Sequence, residues 1–181
     1  MAARRILPLI ASTEIVSACA TIAAVPQTRQ NQDMPIRIAT HSDIPSWIEL
    51  RAQLWGDTSL EEHRAEAVAM LAKSPDERIV FLDVVDGAGI RAFAEASLRH
   101  EHVNGCETSP VAFLEGIFVR RNDQGSGIGR LLLKSIQSWA HEKSCSELAS
   151  DAHLDNLASQ AFHRGLGFEE TDRVVYFRKP L

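Results

Sequence analysis

Apolar and polar positions follow changing periods along the chain, and each change of period predicts a switch between strand and helix. After residue 34, short apolar or alternating runs predict strands, and apolar residues at helical spacing predict helices. The clearest helix carries Ile128, Leu132 and Ile136 on one stripe. The predicted strands are Ile36–Ala39, Arg78–Val85, Ile90–His100, Val111–Val119, Glu147–Asp151 and Val174–Arg178. The predicted helices are Ile44–Trp55, Ser59–Ala72, Gly127–His141 and Asn156–Arg164.

Two local signals indicate how these elements connect. Ser59 and Glu62 form a capping box that opens the second helix. The turn Asp86–Gly89 has the length and residues of a hairpin, so the strands on either side are expected to be antiparallel. The order β-α-α-β-β-β-α-β-α-β combines this hairpin with strand–helix–strand crossovers. It predicts an α/β (α+β) domain with a mixed sheet flanked by helices.

Residues 1–33 differ in character from the rest of the chain. Two arginines precede a mostly apolar run, Ile6–Val25, which is similar to a bacterial secretion signal. Glu14 interrupts that run, and the alternative is an upstream extension before a domain that begins at Met34. We expect residues 1–33 to be a dispensable N-terminal extension and residues 34–181 to form the folded domain.

The composition places the chain among globular proteins, with 45% hydrophobic and 24% charged residues in a length of 181. A net charge of −5 argues against binding to nucleic acid or to an anionic membrane surface. The same sign favours a cationic small molecule or a basic peptide as partner. Cys19, Cys106 and Cys145 are too few and too scattered for a disulfide framework or a closed zinc site, and we expect no metal.

A glycine-rich stretch, Gln124–Gly129, follows a predicted strand and opens the strongest predicted helix. Free N–H groups and the positive end of a helix favour an anion there, which predicts a phosphate or pyrophosphate site. The alternative is a tight turn without a ligand. The stretch lacks the Gly-Lys-Ser/Thr of a nucleoside-triphosphate loop, and Arg130 stands where the spacing would complete a dinucleotide motif.

One carboxylate stands in a predicted apolar strand. Period-two alternation places Glu115 on one face with four apolar residues, and burial of an unpaired carboxylate is unfavourable unless it has a cationic partner or a chemical role. The alternative is a structural salt bridge to Arg99 or Arg120. The four apolar residues on that predicted face are Val111, Phe113, Ile117 and Val119.

The glycine-rich stretch matches Gln/Arg-x-x-Gly-x-Gly/Ala, with Gln124, Gly127 and Gly129 in the defining places, and Gly167-Phe168 follows downstream. The chain from Ile36 to Arg178 thereby resembles the GNAT N-acetyltransferases. That resemblance implies their acyltransferase fold, with a mixed, mostly antiparallel central sheet, and acetyl-coenzyme A as co-substrate. The coenzyme-binding residues that it implies are Ile117, Phe118, Val119, Gln124, Gly125, Ser126, Gly127, Ile128, Gly129, Arg130 and Asn156.

Many members of this family carry a tyrosine in the last helix that returns a proton to the departing thiolate. At that offset from Gly167-Phe168 this chain has His163, and its one tyrosine, Tyr176, lies on the last predicted strand. His163 is therefore the candidate acid. The alternative is a histidine that serves packing or the surface.

A narrower resemblance links the chain to the aminoglycoside 6'-N-acetyltransferases of Gram-negative bacteria. Gln53–Trp55, Val103–Glu107, Phe113–Val119, Ala149–Asp151 and Gly167–Thr171 carry it. It implies a sugar pocket formed by Trp55, Glu115, Asp151 and Asp172, with His102 and Thr58 at two further contact positions where this chain departs from the family.

The resemblance implies acetyl transfer to the 6'-amino group of an aminoglycoside, with resistance as the result. Glu115 and Asp151 are the candidate proton acceptors, and His163 is the candidate donor. Alternatives are transfer to a polyamine or a protein terminus, and a non-catalytic regulator that binds acyl-coenzyme A. Asp151 could also serve as a helix cap, and Trp55 could be a core residue. We further expect a cytoplasmic homodimer, because the coenzyme is cytosolic and relatives are often dimers.

Overall fold

The computed structural model of the protein describes residues 36–87 and 89–181. The predictions for the N-terminal extension, for Met34 as the first residue of the domain and for Ala88 in the hairpin turn lie outside the described residues.

The observed elements follow the predicted order as far as the fourth helix. Ser59 caps the second helix by accepting from the Glu62 N–H, and the Glu62 carboxylate accepts from the Ser59 N–H in return. No helix within the described ranges is long and apolar enough to cross a membrane. The strands are β1 Ile36–Ile38, β2 Arg78–Val85, β3 Gly89–Arg99, β4 Val111–Val119 and β5 Leu148–Ser150, and the helices are α1 Ile44–Leu54, α2 Leu60–Leu71, α3 Ile128–Glu142 and α4 Leu157–Gly165, with short 3₁₀ turns at His41–Asp43 and Arg121–Asp123.

The strands form a five-stranded sheet in the order β1-β2-β3-β4-β5. The first four are antiparallel neighbours, which confirms the predicted hairpin between β2 and β3. The last pair, β4 and β5, is parallel and joins only Ala112, Phe113 and Leu114 to Leu148, Ala149 and Ser150. The second half of β4 therefore has no strand partner on that edge among the described residues.

Two apolar clusters sandwich the sheet. On one face, α3 contributes Ile128, Leu132 and Ile136 to a core with the alanines of β3. On the other face, Trp47, Ile48 and Leu50 of α1 pack with Val80, Leu82 and Phe93. The sheet is therefore covered on both sides, and the predicted mixed, mostly antiparallel sheet flanked by helices is confirmed.

A β-bulge at Glu115 overturns the predicted alternation along β4. Glu95 pairs with Gly116 while the adjacent Ala96 pairs with Leu114, so Glu115 is an extra residue on β4. Beyond the bulge the faces exchange, and Ile117 lies opposite Ala94 on the α3 side. The predicted row was therefore wrong for Ile117 and Val119, while Glu115 keeps the face that β4 turns toward α1.

The last predicted strand, Val174–Arg178, was also wrong. The chain after α4 has no regular secondary structure, and Tyr176 and Phe177 are 83% and 94% exposed. A run of β-branched and aromatic residues forms a strand only where a neighbouring strand pairs with it, and none in the described part of the chain does so.

Candidate active site

The divergence of β4 and β5 creates an open edge along the second half of β4. The last paired residues are Leu114 and Ser150, whose hydroxyl donates to the Leu114 carbonyl at 3.0 Å. Residues 115–119 continue beyond this point and lead into the glycine turn, which we define as Gln124–Gly129. Backbone groups of Ile117, Phe118 and Val119 therefore line a gap between two strands, where an extended ligand can pair with them.

The glycine turn adopts backbone geometry that other residues rarely reach. Gly125 and Gly127 have φ angles of +76° and +90°, and Gly127 is the residue that precedes the first turn of α3. A Cβ added at either glycine would meet nothing within 4 Å, so the space above the turn is open. The first N–H groups of a helix lack intrahelical acceptors, and the open space lets an anion approach them.

The turn is anchored to the sheet by polar contacts. Gln124 Nε2 donates to the Val119 carbonyl at 3.1 Å. Arg91 donates to the fully buried Asp83 at 2.7 Å and lies 3.7 Å from Asp123, just before the turn. Asp83 and Arg91 were not predicted from the sequence, although a charged residue in each of two apolar strands was a visible signal.

The end of the glycine motif also packs α3 against α4. A Cβ at Gly129 would lie 3.0 Å from the Phe162 ring, so glycine permits the close approach of the two helices. Arg130 donates to the Gly165 carbonyl at 3.3 Å and links the same helices. Gly129 therefore has a packing role whether or not a ligand is bound.

His163 lies in a chain of hydrogen bonds that ends at the opening between the strands. Its Nδ1 donates to the Ser159 carbonyl at 2.8 Å. Nε2 lies 2.9 Å from the Ser150 hydroxyl, which also contacts the Leu114 carbonyl. The half-buried ring is therefore in hydrogen-bond contact at both nitrogens and also packs on Phe168, and its role as the acid stays a prediction.

Two further predicted residues lie between β5 and α4. Asp151 directly follows β5 and is exposed. The cap of α4 is Asn156, whose side-chain oxygen accepts from the Ser159 N–H at 3.0 Å, so the capping role considered for Asp151 belongs to Asn156. The Asn156 oxygen is thus occupied by the helix it caps.

Trp55 lies directly against β4 on the α1 side of the sheet. Its ring is so close to Gly116 that a Cβ there would lie 2.5 Å from two ring carbons. The ring centroid is 6.1 Å from that of Phe93, and the side chain is half-buried. Trp55 is thus both packed and open to solvent, and Thr58 donates its N–H to the Trp55 carbonyl at 3.3 Å.

Glu115 is paired in this structure. Arg99 Nη2 lies 3.1 Å from each Glu115 carboxylate oxygen, and the Ser97 hydroxyl donates to the same group. The Arg99 guanidinium in turn lies 3.3 Å from the centre of the Phe113 ring. The salt bridge considered from the sequence is therefore present, with Arg99 as the cation. Glu115 remains partly exposed, at 28% of its side chain, so a cationic ligand can still reach it.

His102 and Asp172 lie on exposed segments. Thr171 packs on Gly105, where an added Cβ would lie 2.1 Å from the Thr171 hydroxyl oxygen. This contact places the segment that carries Asp172 beside the loop that carries His102. The structure gives neither residue a bond to Trp55 or Glu115 among the described contacts.

A buried ion pair between Arg51 and Glu95 adjoins Trp55, and it was not predicted from the sequence. The signal was available, because Arg51 falls on the apolar stripe of α1 and Glu95 falls within the apolar run of β3. Each charge was visible alone, but their pairing depends on how α1 crosses the sheet.

The described residues hold no group of three or more His, Cys, Asp or Glu side chains arranged to bind a metal ion. Cys106 and Cys145 are free thiols, and burial raises the pKa of both.

Comparison with known proteins places this geometry in a family. The Acetyltransferase (GNAT) family model matches residues 44–168. Proteins named aminoglycoside N(6')-acetyltransferase type 1 are 47% identical over 146 residues in Serratia marcescens and 45% identical over 148 residues in Acinetobacter haemolyticus. Each match covers 99% of the relative, and the two cover 81% and 82% of this chain.

Solved structures agree with the sequence comparison. The apo aminoglycoside antibiotic 6'-N-acetyltransferase of Acinetobacter haemolyticus superimposes with a TM-score of 0.77 at 44% identity, covering 82% of this chain and 99% of that one. AAC(6')-Iy in complex with the bisubstrate analogue CoA-S-monomethyl-acetylneamine has a TM-score of 0.75 at 40% identity, covering 81% and 98%. The chain therefore belongs to the GNAT acetyltransferase family and, within it, to the aminoglycoside N(6')-acetyltransferases.

Proposed function

We propose that this protein transfers the acetyl group of acetyl-coenzyme A to the 6'-amino group of aminoglycoside antibiotics and so confers resistance. The observation that carries the proposal is the continuity of β4. Its second half has no strand partner on the β5 edge, and it leads from Glu115, next to the Gly116 that contacts Trp55, to the glycine turn. A coenzyme arm lying along this edge would connect an anion site to a carboxylate pocket.

The open geometry of the turn fits the coenzyme's diphosphate, since a Cβ at Gly125 or Gly127 would meet only empty space. When bound, the coenzyme supplies a thioester whose acyl carbon is open to an amine. We propose that a backbone N–H of Ile117–Val119 stabilises the oxygen that becomes negative during acyl transfer. The residues proposed to hold the coenzyme are Ile117, Phe118, Val119, Gln124, Gly125, Ser126, Gly127, Ile128, Gly129, Arg130 and Asn156.

Carboxylates and an aromatic ring suit an amino sugar with several ammonium groups. Glu115 offers a partly exposed carboxylate, and Trp55 offers a ring face against which a sugar can pack. Arg99 would have to share Glu115 with a substrate ammonium, so binding would exchange one cation for another. The proposed substrate-binding residues are Trp55, Thr58, His102, Glu115, Asp151 and Asp172.

The amine must lose a proton before it attacks, because a free alkyl ammonium has a pKa of about 10. Glu115 or Asp151 accepts that proton, directly or through water. Positioning of amine and thioester supplies much of the rate. With a proton on Nε2 as well as on Nδ1, His163 passes the Nε2 proton to the Ser150 hydroxyl, which releases its own proton to the leaving thiolate. This hydroxyl lies at the opening between β4 and β5.

One assay tests the proposal. Purified protein is incubated with acetyl-coenzyme A and with kanamycin, spermidine or a peptide as acceptor, and the released thiol is measured. We expect release with kanamycin and an acetylated 6'-amine by mass spectrometry. Release with spermidine or the peptide alone would indicate another amine acetyltransferase, and coenzyme binding without release would indicate a regulator.

We propose that the protein is a homodimer in which the tail of each copy pairs with its partner. A groove of about 270 Å³ runs along β5, between Leu148–Ser150 on one side and Gly167–Glu169 on the other. The exposed apolar residues Val174–Phe177 have the β-branched and aromatic composition of a strand but have no strand partner among the described residues. A second copy supplies both the groove and the segment, so two identical contacts close the assembly.

Sedimentation of the wild type tests the dimer, and we expect twice the chain mass. Phe177→Asp should yield monomers, because a carboxylate in the groove would be desolvated. Leu157→Asp is the matched control, since Leu157 is an exposed apolar residue on α4 and should leave the dimer intact. A monomeric wild type would overturn this assembly.

We also propose a cytoplasmic location, because acetyl-coenzyme A is a cytosolic metabolite and an exported enzyme would lack it. Residues 1–33 are proposed to be a dispensable extension, and a chain starting at Met34 should retain kcat/KM within about 2-fold. Loss of turnover in that chain would show that residues 1–33 are not dispensable. A product processed at Cys19, detected by mass spectrometry, would contradict the location.

A further inference from the structure

A buried ion pair joins α1 to the centre of the sheet. The side chains of Glu95 on β3 and Arg51 on α1 are 1% and 5% exposed. Arg51 Nη1 donates to Glu95 Oε2 at 2.5 Å, and the Trp47 indole N–H donates to Oε1 at 3.1 Å. The proposed chemistry uses neither charge, so their presence in an apolar layer requires another explanation.

Stability alone explains the pair poorly. Burial raises the pKa of Glu95 to about 7, although Arg51 and the Trp47 N–H favour its ionised form. Replacing a buried ion pair by apolar residues of similar volume is often neutral or stabilising. Arg51 Nε is also buried without a hydrogen-bond partner among the described residues. The desolvation cost of the pair therefore offsets much of what it contributes to the stability of the fold.

The contacts of Arg51 lead to Trp55. The guanidinium carbon lies 4.7 Å from the centre of the Trp55 ring, within the range of a cation–π contact. The same ring packs on Gly116, where a Cβ would come within 2.5 Å. The indole is thus held between the guanidinium and the backbone of β4, one residue away from Glu115.

Other contacts fix the backbone beneath this ring and orient the guanidinium. The Trp55 N–H donates to the Arg51 carbonyl at 2.8 Å, and His63 Nε2 donates to the Trp55 carbonyl at 3.2 Å. Arg51 Nη2 donates to Glu66 at 2.5 Å, so a carboxylate bonds each terminal nitrogen of the guanidinium. This arrangement requires a planar fork, which lysine does not offer.

We propose that Glu95 and Arg51 are positioning residues that hold the Trp55 indole against β4, and thereby shape the pocket that receives the amino sugar. The inference rests on the proposed function. Glu95 orients Arg51, Arg51 orients the ring, and neither residue needs to touch the substrate.

The charged and titratable groups that surround the pair come from three elements. Glu66 and His63 approach from α2, Arg99 lies on the same face of β3, and Glu115 lies on the β4 bulge. Glu66 is the one that binds Arg51, and its side chain is 55% exposed. Loss of the Glu95 charge would therefore shift Arg51 toward Glu66 and solvent, away from Trp55.

The test begins with Glu95→Gln, which keeps the size of the side chain and removes its charge. We expect the KM for the aminoglycoside to rise about 10-fold while the KM for acetyl-coenzyme A stays within about 2-fold. Trp fluorescence of the unliganded variant should change as the ring becomes mobile. An unchanged aminoglycoside KM in folded Glu95→Gln protein would overturn the proposal.

The double variant Arg51→Met with Glu95→Gln separates positioning from stability. Removing both charges avoids an unpaired buried ion, so the Tm should recover toward that of the wild type. A positioning role predicts that the aminoglycoside KM stays high although the Tm recovers. Recovery of both quantities would show that the pair serves only the fold. If Glu95→Gln does not fold, the KM of the double variant decides the question.

Asp43→Asn is the matched control. Asp43 is another buried carboxylate of an ion pair, bonded to Arg37 at 2.7 Å at the far end of α1. We expect a lower Tm and an unchanged aminoglycoside KM. An equal rise in KM would show that any loss of a buried charge perturbs the pocket. Absence of aminoglycoside turnover in the wild type would instead refute the proposed function, so the two failures are distinguishable.

Discussion

The two ends of the proposed site are built from different parts of the polypeptide. The coenzyme end consists of consecutive residues, Gln124–Gly129, whose surface is mostly backbone in a glycine-dependent conformation. The amino-sugar end combines Trp55 from the end of α1, Glu115 from a bulge in β4, and Arg99 from β3. Backbone geometry governs the first end, and side-chain packing governs the second.

This difference predicts opposite sensitivities. A backbone site tolerates side-chain changes except where glycine is required, because N–H groups remain whatever residue carries them. A pocket made of packed side chains responds to changes in residues that never touch the ligand. The following substitutions break or sharpen this contrast, and they are ordered from the largest expected effect to the smallest.

Gly127→Asp should cause the largest loss. The φ of +90° disfavours any L side chain, and a carboxylate above the turn would repel a diphosphate. We expect affinity for coenzyme A to fall by more than about 100-fold, measured by calorimetry. Gly127→Ala carries the backbone strain without the charge and should lose less. Normal affinity in the Asp variant would refute the assignment of the turn.

Glu115→Gln should affect mainly the amino-sugar end. The neutral amide cannot form an ion pair with a substrate ammonium group, and we expect the aminoglycoside KM to rise about 30-fold. Asp151→Asn should lower kcat/KM by a smaller factor. Glu142→Gln, on the exposed end of α3, is the control and should behave as wild type. Unchanged kinetics in both variants would refute the assignment of Glu115 and Asp151 to the aminoglycoside pocket.

Gly116→Ala tests packing without any change of charge. The added methyl group would lie 2.5 Å from the Trp55 ring, so the ring must move. We expect a rise of about 10-fold in aminoglycoside KM with little change for the coenzyme. Gly56→Ala is the control next to Trp55 in the chain, because its Cβ would make an ordinary 3.8 Å contact with the Ala52 carbonyl. Equal effects of the two variants would contradict the role of the Trp55–Gly116 contact.

The pH dependence of stability should reveal Glu95. Its folded pKa is about 7 and its reference value is 4.5, so the folded chain holds the proton more tightly. The contribution of this residue to the free energy of unfolding is therefore greatest below pH 4.5 and falls as pH rises to about 7. The difference between wild type and Glu95→Gln in urea unfolding should shrink over that interval. A difference independent of pH would mean that Glu95 titrates normally.

Local patterns predicted the parts of the protein that depend on consecutive residues. The bounds of β2 and β4 agree with the predicted Arg78–Val85 and Val111–Val119, because burial and turn residues define a strand from within. The glycine turn was also predictable, since positive φ angles at Gly125 and Gly127 are a local demand of the backbone. The family resemblance came from these same positions.

Other features depend on residues that are distant in sequence. The bulge at Glu115 arises from how β4 pairs with β3, and period-two alternation along one strand contains no information about it. The ion pair of Arg51 with Glu95 and the contact of Ser150 with His163 each join separate elements. The segment Val174–Arg178 has the composition of a strand, but a strand requires a neighbour to pair with.

The amino-acid sequence by itself therefore determined the family, the order of elements as far as α4 and the glycine turn, because each follows from local propensity and backbone conformation. Only the tertiary structure decided which charges neutralise each other, how Trp55 is held and where β4 changes its faces. Those outcomes depend on the register between strands and on the crossing of α1 over the sheet, which are set by contacts between residues far apart in the chain.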